Sequence, residues 1–98
     1  MEKKRSSDQS LKQAIDEMMK TLHLDVKLNE IRLIGSWEKV MGKTVSNRTS
    51  QLYIRDKKLF VSLNSASLRE ELHNERERII KLLNEEAGVA AIEEIVFQ

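Results

Sequence analysis

Residues 51–64 read QLYIRDKKLFVSLN, and within them the hydrophobic period of the chain falls to two. Leu52 and Ile54 alternate with Tyr53 and Arg55, and Leu59, Val61 and Leu63 alternate with Phe60 and Ser62. Alternation of this kind sends successive side chains to opposite faces of a strand, so both runs read as half-buried strands. Only Asp56 and Lys57 separate them, which makes a hairpin. A two-residue turn sets Arg55 opposite Lys58, Ile54 opposite Leu59, Tyr53 opposite Phe60 and Leu52 opposite Val61. One face of the ribbon is then aliphatic, and the other carries an aromatic pair and two cations. Asp-Lys lacks the glycine that a type I′ turn prefers, so a longer loop or a slipped register stays open. Two strands with one apolar face are not stable alone, and the rest of the chain must cover that face.

The cover is helical. Leu11, Ile15, Met18 and Leu22 follow helical spacing, with Ser10 as N-cap of a first helix. Asp25 caps a second, whose apolar stripe is Leu28, Ile31, Ile34, Trp37 and Met41, with Val40 beside it. Gly42 ends that helix as a residue free to take positive φ. Trp37, the single Trp of the chain, lies on this stripe and is expected in the core. Gly35 within the helix is expected to let another backbone approach beside the indole. A third helix opens with the capping-box form Ser67-Leu68-Arg69-Glu70. Leu68, Leu72, Ile79 and Leu83 line one side of it, Ile80 and Leu82 widen the stripe, and Gly88 stops it. The tail AAIEEIVF gives a last strand over Ile92–Phe97. The order α-α-β-β-α-β predicts an α+β fold of two layers, a small three-stranded sheet covered by helices on one face. Residues 1–9 are polar and expected to be a flexible tail, and residues 10–98 suffice for one domain with one modest core.

Several kinds of chemistry are poorly served. There is no Cys, so neither a disulfide framework nor a thiolate metal site is available, and the default compartment is cytoplasmic. The N-terminus has no apolar region behind its charges, and no run nears the ~20 apolar residues of a membrane span. His23 and His73 are isolated, without the spacing of a zinc site. The serines fall in caps and turns, the carboxylate pairs Glu70/Glu71 and Glu85/Glu86 read as solvated charge, and the glycines fit no phosphate-binding pattern. The expectation is a protein without catalytic activity, cofactor, metal or small-molecule substrate.

Binding remains, and charge points to it. Residues 1–69 hold 14 Lys/Arg against 8 Asp/Glu, whereas residues 70–98 hold 3 against 8. Between positions 39 and 58 lie Lys39, Lys43, Arg48, Arg55, Lys57 and Lys58, with Asp56 as the one acid. A basic surface of this sort suits an anionic partner. On the polar face of the hairpin, Tyr53 and Phe60 are placed to stack on bases, with cations beside them for phosphates. Arg55 opposite Lys58 is a like-charge pair that a bound phosphate would relieve, as would Asp56 in the turn. The other reading of the same residues is structural: an aromatic pair stiffens a ribbon, and the charges are solvated.

A set of ordered motifs adds to this. W-x-x-V-x-G at Trp37, Val40 and Gly42, R-T at 48–49, LFVSLNSASLREEL at 59–72, L-L-N at 82–84 and I-V-F at 95–97 together resemble the DciA family. These are bacterial proteins associated with the replicative helicase DnaB. The resemblance runs from about residue 10 to the end. It implies a KH-like core, binding to single-stranded or forked DNA near the nucleoid, and help in loading or operating the helicase without nucleotide hydrolysis. On that reading Lys39, Lys43, Arg48, Arg55, Lys57 and Lys58 contact phosphate, and Tyr53 and Phe60 stack on bases. The sequence departs from the pattern in three places. It has no G-x-x-G loop of a KH domain, it carries no long extension after the last strand, and Leu68 stands where the third helix often begins with Trp. The competing classes are a protein–protein module docking through a strand edge or through Glu70, Glu71 and Glu75, and an RNA-binding KH-like domain.

Overall fold

A computed structural model describes residues 2–22 and 24–98, with side chains from Ser10 onward; Met1 and His23 lie outside the described residues. The elements run α1 (Glu2–Thr21), α2 (Leu24–Gly35), α3 (Trp37–Met41), α4 (Lys43–Arg48), β1 (Thr49–Arg55), β2 (Lys58–Leu63), α5 (Ala66–Asn74), α6 (Arg76–Ala87) and β3 (Glu94–Phe97). The fold is α+β, as the pattern predicts. The backbone of residues 2–9, expected as a tail, opens α1, so Ser10 is interior to that helix and not its cap.

The three strands form one sheet in the order β1-β2-β3. β1 and β2 are antiparallel in the register that the alternation implies, with Arg55 opposite Lys58, Ile54 opposite Leu59, Tyr53 opposite Phe60 and Leu52 opposite Val61. The turn between them is type I′-like and built without glycine: Asp56 has φ 51° and Lys57 φ 62°. Left-handed conformations cost an L-residue roughly 1–2 kcal/mol each, so the tip holds some strain. The backbone N–H of Glu93 donates to the Lys57 carbonyl at 2.7 Å, tying the tip to the entry of β3. β3 lies parallel to β2, with Leu59 beside Ile95 and Val61 beside Phe97. A parallel neighbour needs a crossover, and α5 and α6 supply it.

One face of the sheet is closed. Leu59, Val61 and Leu63 of β2 and Ile95 of β3 are buried with Leu33 of α2, Trp37 of α3, Val45 of α4, Leu72 of α5 and Ile79 and Leu83 of α6. Two polar clamps hold the layers. The Trp37 Nε1–H donates to Thr49 Oγ1 at 3.1 Å, and that hydroxyl donates to the Val45 carbonyl at 2.8 Å, joining α3, α4 and the start of β1. Asn84 holds Ile92 by both its backbone groups: Nδ2 donates to the carbonyl at 2.9 Å, and Oδ1 accepts from the N–H at 3.1 Å. Trp37 is therefore a packing residue that spends its one polar atom on the fold.

Several local expectations change. The second helix is three. Ser36 folds its hydroxyl back on the Leu33 carbonyl at 2.7 Å where α2 stops, and Gly42, at φ 88°, separates α3 from α4. Gly35 has no other heavy atom within 4 Å of the position its Cβ would take, so it admits no close backbone and simply lies at the end of α2. The stripe of α2 also turns. Leu28 is 48% and Ile31 60% exposed, while Leu33 is fully buried. Once the helix breaks at Ser36, Trp37 no longer continues the face of Leu28 and Ile31. The third helix begins two residues early, with Ser65 Oγ accepting from the Leu68 N–H at 3.3 Å in place of a Ser67 cap. It also bends at Glu75, where Arg76 satisfies the freed carbonyl of His73 at 2.9 Å. Leu82 is exposed and off the stripe. Gly88 does end α6 in the left-handed region at φ 78°, and β3 starts at Glu94, with the buried Ile92 before it.

The molecule is long, 62 × 23 × 21 Å. Its radius of gyration, 17.6 Å, exceeds the ~13 Å of a compact chain of this size. α1 accounts for this: twenty residues of helix span about 30 Å, and its principal neighbour is α2 alone.

Candidate nucleic-acid interface

The second face of the sheet is uncovered. The pleat that buries Leu59, Val61 and Ile95 turns Tyr53, Arg55, Lys58, Phe60, Glu94 and Val96 the other way. Tyr53 and Phe60, cross-strand neighbours, stack with ring centroids 4.9 Å apart and planes 10° from parallel. Val96 neighbours Phe60 on the β3 side. Phe60 is half-buried between two neighbours, whereas Tyr53 is exposed beside the free edge of β1. The pair therefore presents one aromatic face, that of Tyr53, with Phe60 backing it.

The expected cations divide into three groups. Arg55, Lys57 and Lys58 gather at the hairpin tip. Lys57 pairs with Glu93 at 3.8 Å and Lys58 with Glu94 at 3.7 Å, both exposed. Glu94, and not Asp56, thus relieves the repulsion between Arg55 and Lys58; Asp56 forms no ion pair among the described residues. Exposed pairs of this length contribute ~0–1 kcal/mol, so an anion can compete for these lysines. Arg48 and Lys43 belong to α4 at the other end of β1, both exposed. Seven residues of strand put Arg48 about 20 Å from Arg55, with Tyr53 between them. Arg55, Arg48 and Lys43 have no ion-pair partner among the described residues. Lys39 stands apart: its ammonium is 3.0 Å from Glu86 of α6, bridging two helices of the opposite layer.

Sequence reasoning missed the acids. Glu93 and Glu94 come next to the basic tip only through the parallel pairing of β3, which no local pattern reveals. The same pairing adds Val96 to the aromatic row. At the corner between α5 and α6, a concavity of about 440 Å³ is lined by Asn74, Glu75, Arg76, Glu77 and Arg78. Its mixed charge and lack of glycine make it a poor cradle for phosphate. Among the described residues no cluster of His, Asp and Glu could hold a metal ion, and no helix is long and apolar enough to cross a membrane.

A helical layer closed over one side of a small three-stranded sheet, with rings and cations on the other, makes a small α+β module with one open face. The family model described as Dna[CI] antecedent, DciA, matches residues 10–97, and the chain belongs to that family. The family is one of loaders of the replicative helicase DnaB and acts in DNA replication. No curated protein matches the chain.

Proposed function

We propose that this chain is a non-enzymatic, KH-like DNA-binding adaptor of the replicative helicase, working at the nucleoid in the cytoplasm, and that the open face of its sheet takes single-stranded or forked DNA. The observation that supports it is the stacked Tyr53–Phe60 pair on an uncovered sheet face with cations at both ends. A base stacks on the outward face of Tyr53. Arg55, Lys57 and Lys58 meet phosphates at the tip, and Arg48 and Lys43 meet the backbone at the far end of β1. Stacking is tolerant of base identity because every base has a π-face, so the site reads strandedness more than sequence. Duplex DNA, whose bases are already stacked, offers Tyr53 nothing. Lys39 is the weakest member of the expected set, because its charge is already engaged by Glu86.

Fluorescence anisotropy with labelled single-stranded, forked and duplex DNA and single-stranded RNA, at low and moderate salt, tests this. The expected result is saturable binding to single strands and forks that weakens as salt rises. Tyr53→Ala weakens it about tenfold or more, as loss of one stacked base does. Neutralising two or three of the cations weakens it and flattens its salt dependence, and charge reversal at Lys43, Arg55 and Lys58 together abolishes it. Binding that survived this triple reversal would place the site elsewhere. A preference for RNA would keep the surface and change the partner. No binding at low salt would leave the chain as a protein–protein module, and titration of the purified helicase would follow.

A further inference from the structure

Leu11, Ile15 and Met18 on α1 and Leu22 in the turn just after it are all exposed, and so are Leu28 and Ile31 on α2, each at least 43%. The first four follow one another at intervals of four, three and four, the spacing of a heptad seam. On α2, Leu28 and Ile31 lie on the side of the helix opposite the buried Leu33. With its Leu33 side in the core, α2 is apolar on two opposite sides, and only one is covered. These six residues leave on the order of 700 Å² exposed, close to the ~800 Å² that each partner contributes to a standard interface.

We infer that this surface is covered by a second copy of the same chain, α1 of each protomer lying along the outer side of α2 of the other. Both seams belong to one chain, have helical spacing, and are bare together, so a two-fold pairing satisfies both at once without a third component. The product is a small antiparallel bundle of four helices between two α+β bodies. The projection of α1 fits this arrangement: a helix that stands out from its own body is placed to reach another. The inference is independent of the nucleic-acid reading, since none of these residues lies on the sheet.

Sedimentation velocity over a concentration series tests it. The expected species is twice the 11.4 kDa chain mass, and Ile15→Lys or Leu28→Lys weakens dimerisation at least tenfold with an unchanged circular dichroism spectrum, because both side chains are solvated in the single chain. Met18→Lys does the same should either variant fold poorly. The chain has no Cys, so mixing a chain bearing Ile15→Cys with one bearing Leu28→Cys gives a clean cross-link experiment. A disulfide-linked heterodimer is expected on oxidation. A mass of 11.4 kDa at every concentration, or a dimer indifferent to these lysines, overturns the inference. So does an internal disulfide in the double variant with none in the mixture, which would mean that α1 folds back on its own α2.

Discussion

The sheet and α2 each have one side buried and one bare, and the two bare sides differ in kind. On the sheet, Tyr53, Phe60, Arg55 and Lys58 combine rings with hydrogen-bonding charge. Such a face tolerates water and offers a ligand both stacking and ion pairing. On α2, Leu28 and Ile31 offer only aliphatic surface, which gains free energy solely by leaving water. The composition of each bare face suits a different occupant: a polar, flat polymer is the one proposed for the first, another apolar surface the one inferred for the second. Burial also separates the sides of α2 in energy, since Leu33 holds the domain together and Ile31 does not.

The sharpest way to break that contrast is to truncate both sides of α2. Leu33→Ala should cost about 2–5 kcal/mol of unfolding free energy, as a fully buried Leu does, whereas Ile31→Ala at low protein concentration should stay within about 0.5 kcal/mol. Urea denaturation of the two variants decides it; equal costs would mean that both sides are packed. Next in size is the polar clamp. Asn84→Ala leaves both backbone groups of Ile92 without their partner and should cost about 1–3 kcal/mol, with faster amide exchange in β3 as the local sign. Lys57→Gly should act in the other direction, stabilising by up to about 1 kcal/mol because glycine takes φ 62° without strain; a melting temperature that fell would show that the turn is not left-handed. Smallest in stability is Glu94→Gln, within about 0.5 kcal/mol for an exposed pair. Yet it releases Lys58, so affinity for single-stranded DNA should rise a few-fold in the anisotropy titration. A loss of affinity would place Glu94 in the site as a contact.

What could be read from the chain alone follows the range of the interactions. The hairpin was legible, and its register follows the pairing a two-residue turn sets, which keeps Leu52, Ile54, Leu59 and Val61 together. A slipped register stayed open because Asp-Lys lacks glycine, and the left-handed Asp56 and Lys57 decide it. The helix stops at Gly42 and Gly88 were legible for the same local reason. The orientation of α2 was not: Leu28, Ile31 and Leu33 are equally apolar, and which of them faces the core depends on the break at Ser36. α4 escaped notice because Val45 is its sole buried apolar residue. In the candidate site the rings and cations could be named from the sequence. Glu86, Glu93 and Glu94, which decide how free those cations are, arrive by contacts 36 to 47 residues away, where pattern has no reach.

The open sheet face is the surface proposed to meet nucleic acid. Titrating a short single-stranded oligonucleotide into ¹⁵N-labelled protein and following the backbone amide resonances at low salt tests that most directly. The shifts are predicted to concentrate on Gln51, Tyr53, Arg55, Lys58, Phe60 and Val96, with a weaker set at Lys43 and Arg48, and to leave α1 and α6 unmoved. Shifts confined to α5 and α6, or a spectrum that does not change while the DNA binds, would contradict it.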